Sequence, residues 1–304
     1  MENVTVLGGT GMLGSMLIDY LSKDFHIIAT VRNDASNNTR IYSAKTMGFK
    51  NTEWFPLNVG DSMATIMSVV KPSKYIINAI GAIPQKIPSI REYDRINVIF
   101  PTILHEAARA FGSIVIQIGT DCVFSGSQTL GRYTETSLKD AYDDYGKSKI
   151  KGECAPVLRC SIIGMEPFGN YSLLKWLINQ PKHTTVEGYA THWWNGITTL
   201  QFAKICRGII ANNYELAPVQ HIVPKDTMSK AELLQTITKY FNRPDLRIDY
   251  NTRKVAINRC LGTVRPEMNQ RLWAMAGYEK IPTIAEMVKE LAAYYETSRV
   301  APIL

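Results

Sequence analysis

Val4-Thr5-Val6-Leu7-Gly8-Gly9-Thr10-Gly11-Met12-Leu13-Gly14 decides the fold of this 304-residue chain. Val4 to Leu7 read as a short buried strand, and a helical pattern takes over from Met12 to Lys23. The glycines between them satisfy GxGxxG from Gly9 and GxxGxxG from Gly8. A side chain here would hold a phosphate away from the N–H groups at the helix start, whose partial positive charge draws an anion. The last glycine lets helix and strand approach closely. Gly8, Thr10, Gly11, Met12, Leu13 and Gly14 are therefore the expected cradle of a dinucleotide.

The pattern repeats outward from this loop. Further strands are expected at Ile27–Val31, Tyr75–Ala79, Ile114–Ile118 and Val157–Arg159, and helices at Asp61–Lys71, Ile96–Phe111 and Tyr142–Glu153. Alternating strands and helices imply right-handed crossovers and a doubly wound parallel α/β sheet of Rossmann type, with ligands beyond the carboxyl ends of the strands. After Gly164 the rhythm changes. A helix at Leu173–Gln180, one from Thr198 or Thr199 to Ile210, and a strand at Gln220–Val223 come next. Helices from Ser229 to Phe241 and over Ile284–Tyr295 complete the chain. Residues 1–164 are expected to form the dinucleotide-binding domain, with 197–224 returning to it. Residues 165–196 and 225–304 then make a smaller substrate lobe.

Arg32 closes the second strand, where an NAD-selective site places an acid about 20 residues beyond the glycine loop. A guanidinium there suits a 2′-phosphate, so NADPH is the expected cofactor, with NADH use left open by nearby Asp34. Asn58-Val59, after a strand-like segment, and Asn78-Ala79-Ile80-Gly81, at the end of another strand, are expected to flank the same cofactor.

Tyr145-Gly146-Lys147-Ser148-Lys149 sets a phenol and an ammonium four residues apart at a helix start, so both project from one face. A free tyrosine, with a pKa of about 10, exchanges protons poorly at neutral pH. A neighbouring ammonium is expected to lower that value and fit the phenol for acid catalysis. Lys149 would also bond the nicotinamide ribose. Thr120, just past the strand before, offers a hydroxyl to align a substrate carbonyl with Tyr145. Asp121 reads as a turn former.

The remaining composition excludes more than it assigns. A net charge of +7 comes without a dense Lys/Arg tract or nucleic-acid motif, so no nucleic-acid partner is expected. No apolar run reaches membrane-spanning length and no leader pattern opens the chain, so no membrane partner is expected. Five scattered cysteines point to reduced thiols and a cytoplasmic setting, with no metal site. His183 and His221 have no partners at metal-ligand spacing.

At its glycine loop, at Gly119-Thr120-Asp121-Cys122-Val123-Phe124-Ser125-Gly126, at Tyr133-Thr134-Glu135, at Tyr145-Gly146-Lys147-Ser148-Lys149 with Gly152-Glu153, and at Leu158-Arg159-Cys160-Ser161, the chain resembles the extended short-chain dehydrogenase/reductases. Within them it is similar to the dTDP-4-dehydrorhamnose reductase branch. The resemblance is strong from residue 1 to about 164 and patchy afterwards. It implies a triad of Thr120, Tyr145 and Lys149. It also implies reduction of a nucleotide-linked 4-keto-6-deoxy sugar, toward an activated deoxy sugar for surface glycans. Ile162 would lie beside the nicotinamide, and Asn97 near the active site. Two departures, Cys122 where a Tyr is usual and Ile162-Ile163 where a Trp often stands, leave base and sugar open. Trp193 and Trp194, in His192-Trp193-Trp194-Asn195-Gly196, could stack on a base or sugar ring or fasten a lobe interface, with Asn195-Gly196 as a tight turn. Arg259, Arg265 and Arg271 are candidates for a diphosphate clamp.

Two other functions share this framework: a nucleotide-sugar epimerase or dehydratase that recycles bound NAD, and a non-catalytic NADP-binding regulatory subunit. Arg32 argues against the first and the intact triad against the second. The assembly is left open, with a homodimer as one form.

Overall fold

The computed structural model describes residues 1–32, 48–85, 89–127, 131–154 and 156–298. Asp34, weighed above against Arg32, lies outside them. The central sheet contains β1 (Asn3–Leu7), β2 (His26–Val31), β3 (Thr52–Pro56), β4 (Tyr75–Asn78), β5 (Ile114–Gly119) and β6 (Val157–Arg159), with Val219–His221 as a seventh strand. Every neighbouring pair is parallel, in the order β3-β2-β1-β4-β5-β6 and then Val219–His221. This is the doubly wound Rossmann arrangement, and its strand order reverses between β1 and β4, where such sheets open a crevice.

Alternation along the strands divides the core. Val4, Val6, Ile27, Ala29 and Ile77 face one layer with Met16 and Leu17 of α1 (Met12–Leu21) and Phe202 and Ile205 of helix Thr199–Ala211. Leu7, Ile28, Ile76 and Val115 face the other, against Ile66, Val70 and Leu104. Both faces are covered, which is why these strands read as nearly continuous apolar runs. β3, the strand-like segment before Asn58, lies at the edge and leaves Glu53 and Phe55 exposed.

The helix expected over Ile96–Phe111 opens as a π-helical stretch, Asp94–Ile99, before α-helix Phe100–Arg109. Pro101 has no N–H to give to the Asn97 carbonyl, so the ladder widens there. That carbonyl instead receives the close approach of Gly152, where a Cβ would come to 1.6 Å from it.

The second half adds three small sheets, Ile162–Ile163 with Ile197–Thr198, Met228–Ser229 with His192–Trp194 and Ile257–Asn258, and Thr185–Tyr189 with Arg247–Asn251. Helices Lys230–Tyr240 and Ile284–Thr297 each start with a capping box, Ser229 with Glu232 and Thr283 with Glu286. Asn195-Gly196 does not make the tight hairpin turn expected of it. Its flanking strands belong to different sheets, because Ile197–Thr198 pairs with Ile162–Ile163. The Asn195 amide bonds the backbone of Leu261 in both directions. Among the described residues no helix is long and apolar enough to cross a membrane.

Candidate active site

The glycine loop turns from β1 into α1 under tight constraint. Gly8 sits at φ +79° and donates to the Thr30 hydroxyl, while Gly9 N–H donates to the Thr30 carbonyl. A Cβ on Gly14 would stand 2.1 Å from the Gly8 carbonyl oxygen, so only glycine allows the helix to pass this close. α1 has no side-chain cap and no acidic residue in its first turn. Its orphan N–H groups thus keep their positive end for an anion. That is the fit a dinucleotide pyrophosphate requires.

A cleft of about 380 Å³ opens from this helix start. Gly11, Met12 and Leu13 line one side; Ala79, Ile80 and Gly81 follow from the end of β4, and Thr120, Tyr145, Lys149 and Ile162 from beyond. Residues about 135 positions apart in sequence therefore meet at the carboxyl edge of the sheet. Gly8, Thr10 and Gly14 shape the loop behind this lining. Asn78 is buried and accepts from Ile80 N–H, forming the turn at the end of β4. Asn58 N–H donates to Asp61, and Val59 and Ile80 both pack against the cluster of Ala82, Tyr93 and Ile96. Arg32 is exposed at the end of β2.

Each residue of the YGKSK segment has a local reason. Asp143 caps helix Asp144–Lys151 by accepting from Gly146 N–H at 2.7 Å. A Cβ on Gly146 would lie 2.3 Å from the Cys122 carbonyl oxygen, so glycine lets this helix press against the Thr120 loop. Ser148 is fully buried and accepts from Asn97 Nδ2 at 2.9 Å. Lys147 faces solvent. Lys149 is 8% exposed and donates to the Ile118 carbonyl at 3.4 Å. Thr120 caps the short turn Asp121–Val123 through Cys122 N–H and also hydrogen-bonds the Tyr145 phenol.

Electrostatics correct one expectation. The Tyr145 phenol is not lowered in the chain alone; it is raised, first by burial and then by Cys122, against a smaller opposing pull from Thr120. Lys149 is itself brought down to about 8, mainly by burial, with Glu153 and Cys122 supporting its charge. Desolvation dominates both shifts. At neutral pH the phenol keeps its proton.

Asn97, Trp193 and Trp194 do not line the cleft. Asn97 is 2% exposed. Its amide bonds both backbone groups of Ala82 and the Ser148 hydroxyl, bracing the β4 loop against the helix of Tyr145 and Lys149. Trp194 is 3% exposed, with its indole N–H on Ser161 Oγ at 2.8 Å and Lys230 Nζ 5.2 Å from its ring. Its face is covered by packing, so it fastens the lobe interface. Trp193 is exposed on its strand and outside the cleft lining. For Asn97→Ala we expect a loss of about 2 kcal/mol in stability, because it strands buried backbone groups. Denaturant unfolding checks this, and an unchanged midpoint would refute the bracing role.

Of the three arginines, only Arg259 reaches the cleft wall, donating to Cys122 Sγ at 3.6 Å. Arg265 donates to the Val219 carbonyl, and Arg271 lies over Tyr214. Lys230, its amine lowered chiefly by burial, also feels Asp121, Cys122 and Arg259. Sequence reasoning missed the stretch from Glu166 to Leu173, which lines the far side of the cleft through Glu166, Tyr171, Ser172 and Leu173. Gly169-Asn170, a turn pair beyond the carboxyl edge of the sheet, was the available signal. Among the described residues no cluster of His, Cys, Asp or Glu could hold a metal.

The model of the NAD dependent epimerase/dehydratase family matches residues 4–155, half of the chain. The chain belongs to that family. Membership makes it an NAD(P)-dependent enzyme of the oxidoreductase type. Solved structures share the fold at low identity. A dTDP-4-dehydrorhamnose reductase from Clostridium acetobutylicum is 20% identical over 97% of this chain and 100% of its own, with a TM-score of 0.66. The Bacillus anthracis dTDP-4-dehydrorhamnose reductase in complex with NADP is 17% identical over 98% and 100%, with a TM-score of 0.69. The dTDP-glucose 4,6-dehydratase of the same organism, in complex with NAD, is 18% identical over 97% of both chains, with a TM-score of 0.71. No curated protein matches the chain.

Proposed function

We propose that this family member uses NADPH to reduce the 4-keto group of a nucleotide-linked deoxy sugar, as its resemblance to dTDP-4-dehydrorhamnose reductases implies. The supporting observation is that Thr120, Tyr145 and Lys149 line one cleft with the start of α1. The chemistry a bound NADPH supplies is hydride.

Gly11 to Leu13 would hold its pyrophosphate, Arg32 the 2′-phosphate, and Ala79 to Gly81 with Ile162 the rest of the dinucleotide. Thr120 and Tyr145 both donate to the substrate carbonyl oxygen. As that oxygen gains negative charge, the Tyr145 proton passes to it and the product carries a hydroxyl. The resulting phenolate is stabilised by the Thr120 hydroxyl and the Lys149 ammonium until it regains a proton from solvent. A phenol that burial keeps protonated suits reduction better than an abstraction that needs phenolate from the outset. Arg259 and Lys230 would meet the substrate's anionic groups.

The dehydratase alternative would want an acid beside Asp121, where Cys122 stands with its thiol pushed up to about 12 by burial. We expect NADPH consumption with at least one 4-keto-6-deoxy sugar nucleotide from a panel of bases and epimers. Protein that purifies with stoichiometric NAD and turns over none of them would sink the reductase reading in favour of an epimerase or dehydratase. NADPH binding without turnover, together with capture of a partner enzyme, would favour the regulatory subunit.

A further inference from the structure

The stretch from Glu166 to Leu173 closes the far side of the cleft and is tied down at several points. The buried Glu166 carboxylate accepts from the N–H groups of Tyr171 and Ser172, the latter at 2.7 Å. Lys175 Nζ donates to the Glu166 carbonyl at 3.0 Å and to that of Pro167 at 3.4 Å. Met165 N–H donates to the Tyr295 phenol at 2.9 Å, and Asn179 Nδ2 to Asn170 Oδ1 at 3.2 Å. Between these ties Gly169 turns the chain at φ +88°, and a Cβ on it would lie 2.9 Å from the Tyr171 ring. The missing side chain lets that ring fold down onto the turn. Tyr171, 52% exposed, thus meets the cleft as an aromatic wall on a braced loop.

The polar side chains beside it are engaged within the protein. Glu166 serves the two N–H groups, Ser172 Oγ accepts from Lys175 N–H at 3.3 Å, and Ser161 Oγ accepts from the Trp194 indole at 2.8 Å. What this side leaves for a ligand is the Tyr171 ring with Leu173, Ile162 and Ile163. Thr120, Tyr145 and Lys149 line the same cleft. Its volume of about 380 Å³ suits a nicotinamide and one sugar ring. The group that meets the apolar wall is therefore carried on the sugar, close to the carbonyl. We propose that Tyr171, backed by Leu173 and Ile163, sets specificity for the sugar by seating a methyl group on the ring carbon next to the reacting carbonyl. This rests on the reading that a nucleotide-linked deoxy sugar binds here. A hydroxymethyl group or a carboxylate in that place would lose water without gaining a partner.

Calorimetric titration with NADP⁺ saturating can compare two sugars that differ by one oxygen, 6-deoxyglucose and glucose, each linked in turn to dTDP, UDP, CDP and GDP. On the base that binds best, the unaltered chain should take the deoxy sugar about tenfold more tightly, the modest factor an apolar pocket allows. Tyr171→Ala should bind the two alike. Tyr171→Phe should keep the preference, because the ring and not its hydroxyl makes the wall. The loop is tied through the Tyr171 backbone, so it should persist in both variants, and NADP⁺ affinity should be unchanged. Tyr171→Gln, which makes the wall polar, should also abolish the preference, and it keeps the test decisive if Tyr171→Ala fails to fold. A purely structural Tyr171 would weaken both sugars equally and leave their ratio in place. Equal affinities in the unaltered chain, no binding of either sugar, or a preference that survives in folded Tyr171→Ala or Tyr171→Gln overturns the proposal. If no 4-keto sugar nucleotide is reduced but the preference appears and vanishes with the ring, the reductase reading fails and this one stands.

Discussion

Tyr145→Phe should bind NADPH as the unaltered chain does and lose turnover by about 10³-fold, the scale of a missing general acid. The substitution removes one oxygen and keeps the ring, which packs at 6.1 Å from Tyr93. The helix should be undisturbed, because its cap at Asp143 and its contact at Gly146 do not involve the phenol. Reduction of a carbonyl leaves an alkoxide that must be protonated inside a cleft whose burial disfavours charge. Without the phenol, Thr120 still aligns the oxygen but has no comparable acidity to give. Stopped-flow oxidation of NADPH and fluorescence titration of the cofactor separate the two effects. Retained turnover would transfer the acid role to another group, and lost cofactor binding would make Tyr145 a binding residue.

Much of this site was legible because its parts obey local rules. The glycine loop needs closeness between Gly8 and Gly14, which sequence records as missing side chains. The four-residue spacing of Tyr145 and Lys149 records one helical turn. What was hidden depends on packing between distant segments. Resemblance places Asn97 near the active site, but does not show that its amide, on a π-helical stretch, bonds Ala82 and Ser148. Trp194 reads equally as a stacking platform or an interface residue until Ser161 and Lys230 close over it. The direction of the Tyr145 shift was misjudged because spacing reveals the ammonium but not the depth of burial around both groups. Glu166 to Leu173 line the cleft only because their loop folds back from the sheet edge, with Glu166 accepting from Ser172 N–H. β3 was read only as a strand-like segment, since an edge strand alternates apolar and polar residues.

Acid should destabilise this chain through His221 before its carboxylates titrate. The ring is fully buried, and its pKa is brought down to about 4 by burial, aided by Arg159 and opposed by Glu135. In the unfolded chain the same ring titrates near about 6.5. Between those two values the unfolded state takes up a proton that the folded state refuses, so stability falls as pH falls through that window and levels off below it. His221 Nε2 accepts from the Arg159 guanidinium at 2.8 Å and Nδ1 donates to the Gly262 carbonyl at 2.8 Å. Protonation would set an N–H against that guanidinium, which is the physical source of the refusal. The gap amounts to about 3 kcal/mol. Glu135 adds to the loss at lower pH: burial pushes its carboxyl up, but bonds from Thr263, His221 and Val264 together hold it below its usual value. Those bonds weaken only once it protonates. His221→Gln can accept from Arg159 and donate to Gly262 without titrating, so its melting temperature should fall less from pH 6.5 to 4 than that of the unaltered chain. Equal falls would show that the imidazole protonates in place, and the neutral link between Arg159 and Gly262 would have to be abandoned.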